Sequence, residues 1–140
     1  MIDTRLPITG PALFLNSIHL TLRSFPIACL TLALLTDIAY LQTSNLLWLH
    51  FSEWLLLAGL AFGIIAIVLS GVEFLFRRVR PAWSAVFAAI VVLVLAALNN
   101  FVHTADGWTA VMPWGVTLSA LTVIAMLITA WFGREGAYHV

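Results

Sequence analysis

Four apolar runs, separated by short polar segments, limit what this chain can fold into more than any other feature. They cover about Ile18 to Leu41, Glu53 to Phe76, Ala82 to Val102 and Pro113 to Phe132. A run of about 20 residues, rising about 1.5 Å each as helix, crosses a hydrocarbon core of about 30 Å. The chain is 63% hydrophobic and 9% charged, against about 25% charged in ordinary soluble domains. So apolar a chain cannot cover itself with polar surface. The expected architecture is all-α, an integral membrane four-helix bundle, with residues 1–140 forming one transmembrane domain.

Polar punctuation sets the boundaries. Gln42-Thr43-Ser44-Asn45 closes the first run, Arg77-Arg78-Val79-Arg80-Pro81 divides the second from the third, and His103-Thr104-Ala105-Asp106-Gly107 divides the third from the fourth. Pro81 and Pro113 fall near helix starts, where a missing N–H costs least. Pro26 lies inside the first run and predicts a kink or a helix start there. Pro7, Gly10 and Pro11 interrupt any cleavable signal sequence, so the first run reads as a retained span.

The six arginines set the orientation. Arg5, Arg23, Arg77, Arg78, Arg80 and Arg134 all fall on one side of a four-span protein, and there is no lysine. The positive-inside rule then places both termini in the cytoplasm of a bacterial inner membrane. Trp48, Trp54, Trp108 and Trp114 mark the outer interface, Trp83 and Trp131 the inner one, as aromatic belts do.

Steps of four and three along each run collect small and polar residues onto one face. The first gives His19, Arg23, Pro26, Leu30, Ala33, Asp37 and Tyr40. The second gives Gly59, Gly63, Ala66, Ser70, Glu73 and Arg77. The third gives Ala85, Ala89, Val92, Ala96, Asn99 and His103, and the fourth Gly115, Ser119, Thr122, Met126, Thr129 and Gly133. Residues so spaced share a helix face. Small side chains let helices approach in lipid, and Ser, Thr and Asn are expected to bond across them.

Two acids, Asp37 and Glu73, stand inside these apolar runs. A carboxylate at membrane depth costs about 2.5–3.5 kcal/mol on insertion scales, so each needs a partner or a task. Depth separates them. Glu73 lies toward the cytoplasmic end with Arg23, and the two are expected to form a structural ion pair whose loss lowers stability. Asp37 lies in the outer half with Tyr40, Asn99, His103 and His50. That outer set is the candidate ligand or proton site: such groups can hold a proton, a quinone headgroup or an ion, or simply fix helix register.

Other chemistries find little support. A b haem needs two facing imidazoles, for which His50 and His103 are the available pair. No metal-ligand spacing occurs, nor a phosphate loop or a nucleophile elbow. Without a basic patch, nucleic acid is not an expected partner. Cys29, the one cysteine, reads as a small core or lipid-facing residue.

The chain resembles the small bacterial membrane proteins of domain-of-unknown-function family 2231. The resemblance rests on His19 followed by Phe25-Pro26 entering the first span, Asp37 late in it, Trp54 and Gly59 in the second, Gly71 and Glu73 closing it, and a Trp131-Phe132-Gly133 ending with a short polar tail to Tyr138. It covers about residues 19 to 138. Where the family often reads His-Phe-Pro, this chain has Ser24-Phe25-Pro26, and Leu20 stands where a Pro often follows the first His. If relatives use a two-histidine site in the first span, its second member is missing here. The resemblance implies a four-helix inner-membrane protein, sometimes suspected of serving redox systems.

The leading expectation is a non-enzymatic accessory or interaction subunit, in contact with lipid and with other membrane proteins or a second copy of itself. The alternative is a redox-linked subunit binding haem b or quinone at the outer polar cluster.

Overall fold

The computed structural model describes residues 10–77, 83–105 and 111–135. Arg5, Arg78, Arg80, Pro81, Asp106 and Trp108 lie outside the described residues. The four helices are α1 (Gly10–Thr43), α2 (Leu46–Arg77), α3 (Trp83–Thr104) and α4 (Val116–Glu135). All four contain a stretch long and apolar enough to cross a membrane.

Helices α1 and α2 extend beyond the expected spans at the ends that meet. Only Ser44 and Asn45 separate them. Ser44 takes φ 50° and its N–H donates to the Tyr40 carbonyl at 2.8 Å, which terminates α1. Asn45 then caps α2: its Oδ1 accepts from the Leu47 N–H at 3.0 Å, occupying one of the free donors of a helix start. Proline acts differently at its two sites. Pro113 precedes α4, in a wide helical turn, Val111–Gly115, interrupted where Met112 is extended (φ −113°, ψ 124°); a residue before proline is pushed out of the helical region. Pro26 does not start a helix, because α1 runs through it. Its buried ring faces α2 where Gly63 has no side chain: a Cβ there would lie 3.9 Å from Pro26 Cβ.

Each helix packs on its chain neighbours, and α4 closes against α1. The apolar core is Leu30, Ala33, Leu56, Val92 and Ala96. Glycine sets the α1–α2 spacing, since a Cβ on Gly59 would stand 3.0 Å from Leu30 Cγ and 3.3 Å from Cys29 Cβ. The buried positions follow the 4-3 steps: Pro26, Leu30, Ala33, Asp37 and Tyr40 on α1, Val92, Ala96, Asn99 and His103 on α3, and Ser119 and Thr122 on α4. The outward positions are large and apolar, among them Leu35, Phe76, Phe87 and Leu127, as a lipid-facing surface requires.

The seams meet one expectation in part: Ser70 accepts from Arg23 and Ser119 donates to Asp37 across helices, while other bonds of these hydroxyls stay within one helix. Thr122 and Thr129 donate to the carbonyls of Leu118 and Ala125, four residues back in their own helix, and Ser70 does the same to Ala66. A hydroxyl on Cβ reaches the i−4 carbonyl of its own helix, often with a slight bend. Among the described residues, the Ser52 and Ser119 hydroxyls donate between helices.

Candidate functional site: a buried Asp–His cluster on the bundle axis

Each helix brings polar side chains to one point near the α1–α2 turn. Asp37 comes from α1, Ser52 from α2, Asn99 and His103 from α3, and Ser119 from α4, all buried. Asp37 stands six residues before Thr43, about 9 Å along the helix from its end. Its side chain is wholly buried, as is that of His103.

The hydrogen bonds form one connected unit. His103 Nε2 lies 3.0 Å from Asp37 Oδ1. The Ser52 hydroxyl donates to the same oxygen and sits 3.3 Å from His103 Nε2. The Ser119 hydroxyl donates to Asp37 Oδ2 at 2.5 Å and accepts from Asn99 Nδ2 at 2.7 Å. His103 Nδ1 lies 3.0 Å from the Asn99 carbonyl oxygen, one turn back. A carbonyl can only accept, so Nδ1 carries a hydrogen. The contact between Nε2 and Asp37 therefore holds one proton, as imidazolium with carboxylate or as imidazole with carboxylic acid.

The sequence-predicted residues separate into four groups. Asp37, Asn99 and His103 are brought together. Tyr40, buried one turn further on, packs with Leu49, Leu46 and Val116. His50 stays on the outer surface, its Nδ1 3.3 Å from Glu53 Oε2, with side chains 65% and 31% exposed. At the opposite end of the bundle, Arg23 Nη2 approaches Glu73 Oε2 at 3.9 Å and Ser70 Oγ at 3.4 Å, with Arg23 60% exposed. That ion pair is loose and lies at the surface.

Sequence reasoning missed Ser52 and left Ser119 as a seam residue only. The signal for Ser52 was present. Continuing the α2 steps backward from Gly59 gives Leu56, Ser52 and Leu49, all buried. A span drawn from Glu53 stops one residue short of it.

The arrangement does not suit haem. Both ring nitrogens of His103 are engaged, and His50 lies outside the bundle while His103 lies within it. The two imidazoles do not present nitrogens to one iron. Among the described residues no group of three or more His, Cys, Asp or Glu side chains is placed to hold a metal ion.

Four apolar helices closed around a polar knot on their axis define an integral membrane protein of the all-α class. Residues 16–140 match the family described as predicted membrane protein, DUF2231, and the chain belongs to that family. No curated protein and no solved structure matches it.

Proposed function

We propose that this protein is a non-enzymatic accessory or interaction subunit of the bacterial inner membrane, with both termini cytoplasmic and the Asp37 cluster toward the outer face. One observation carries the reading: the cluster draws a side chain from every helix, and both Asp37 oxygens and both His103 nitrogens are bonded within it. A site so closed on itself acts as a clasp. It holds four helices in one register and leaves their large apolar outer surfaces to lipid and neighbouring helices.

Photo-crosslinking in living cells tests this. A crosslinking residue is placed in turn at Leu35, Phe76, Phe87 and Leu127, one outward position per helix. An accessory subunit crosslinks to one recurrent membrane protein from adjoining positions; crosslinks to lipid alone refute the reading. Purified protein is also scanned oxidised and dithionite-reduced. A stoichiometric Soret band lost in His50→Ala or His103→Ala would establish the redox-linked alternative instead. For orientation, a reporter fused after Val140 must work only if it functions in the cytoplasm.

A further inference from the structure

The clasp has a property that bracing alone does not require: its hydrogen-bond chain can reverse. Ser119 now donates to Asp37 and accepts from the Asn99 amide. With a proton on Asp37 Oδ2, the acid donates to Ser119, and Ser119 donates to Asn99 Oδ1 once the amide turns over. Both states contain two bonds, because serine and a carboxamide each donate and accept. Asn99 Oδ1, the atom the reversed chain uses, is buried and has no partner among the described residues. On the other side, Ser52 touches both Asp37 and His103 Nε2 and accepts if the ring donates to it.

Beside the cluster the chain reaches the surface: Glu53 follows Ser52 on α2 and is partly exposed. The exposed His50 is bonded to it. The titratable groups around the site are thus Asp37 and Tyr40 on α1, Glu53 and His50 on α2, and His103 on α3. In the described side chains of α4 there are none. They form a graded series, from an exposed imidazole through a half-exposed acid to a buried pair.

We propose that Asp37 and His103 form a single proton-binding site, loaded from the α1–α2 turn end of the bundle through His50, Glu53 and Ser52. The proton comes from hydronium or a buffer acid at His50 and Glu53. It reaches the pair through Ser52, which passes on one hydrogen and receives another, so the hydroxyl is regenerated. Release runs the same steps backward. No bond to carbon forms or breaks, and no oxidant is needed. The site adds a proton-linked equilibrium to a bundle otherwise held by packing.

The test is NMR of the full chain, labelled with nitrogen-15 and carbon-13, in lipid nanodiscs. Between about pH 2.5 and about pH 9, which brackets ordinary Asp and His titration, the Asp37 carboxyl and His103 ring signals should shift together with one midpoint. Glu53→Gln and Ser52→Ala should each slow exchange of the His103 ring N–H with water by about 100-fold, the usual contribution of a placed acid–base group. Glu53→Asp, which keeps a carboxylate, should restore it. Glu53 lies at the surface, so its variants are expected to keep the helical circular dichroism of the parent. Signals fixed across that range in the folded protein overturn the proton site. Exchange unchanged in both Glu53→Gln and Ser52→Ala overturns the route.

Discussion

Replacing Asp37 probes how much the clasp contributes, because the structure separates its charge from its shape. Asp37→Ala removes the acceptor of three donors in a wholly buried place: Ser52, Ser119 and His103. Removing one partner of a buried pair costs about 3–5 kcal/mol. At about 3–4 °C per kcal/mol for a chain of this size, melting should fall by about 10–20 °C. Asp37→Asn keeps the shape and one oxygen acceptor; its amide can donate to a neutral His103 Nε2. It loses only the charge assistance, about 1–2 kcal/mol, or about 3–8 °C. The protein carries its own reporter. Cys29 is the one cysteine and is 5% exposed, so a thiol-reactive fluorogenic maleimide lights up as the bundle opens. In a cycle with Ser119→Ala, the two losses should fall short of their sum by at least about 0.5 kcal/mol, since the residues share a bond. If Asp37→Ala melts with the parent, or if Asn and Ala cost the same, the carboxylate is not the centre of the clasp.

The remaining expectations use the same melting assay. Glu73→Gln should cost less than Asp37→Ala, because Arg23 is 60% exposed and stands 3.9 Å away, whereas Asp37 is wholly buried; a loss matching Asp37→Ala would contradict this. Gly59→Ala should destabilise by about 1–3 kcal/mol through overpacking against the buried Leu30, in spite of its better helix propensity. Gly71→Ala has open space around its Cβ and should stabilise by up to about 1 kcal/mol, so the two glycines should shift melting in opposite directions. Asn45→Ala loses the Oδ1 acceptor that caps α2 and should cost about 1 kcal/mol, while Asn45→Asp should restore most of it.

Much of the architecture was legible because lipid imposes a simple rule: backbone polar groups must be satisfied within a helix, and only apolar side chains can face outward. Run length therefore identified spans. The 4-3 step identified inward faces, down to Ala33, Ala96 and Thr122, each at most 1% exposed. The exact helix ends were less legible. Turn chemistry decides them, and Ser44 at φ 50° with Asn45 as a cap extends both α1 and α2 past the apolar runs.

The cluster was half legible for a related reason. Asp37, Asn99 and His103 stand out because a polar residue in an apolar run is conspicuous. Serine is not, since its hydroxyl is satisfied equally well by its own helix, as Ser24 is at the Leu20 carbonyl. Nothing local distinguishes Ser52 or Ser119 from Ser24; what distinguishes them is a carboxylate from another helix within reach. His50 errs the other way: it is at the right depth but on the wrong side of α2, where it faces out with Glu53.

The residue pattern by itself determined four membrane helices, their inward faces and an isolated acid on the first of them, because each follows from the periodicity and polarity of one segment. Only the tertiary structure decided what that acid meets. Asp37 and His103 are 66 positions apart, and Asp37 and Ser119 are 82 apart. Their contact depends on how four helices rotate and slide when packed. That placement sets which hydroxyls turn inward and which nitrogen of His103 faces the carboxylate.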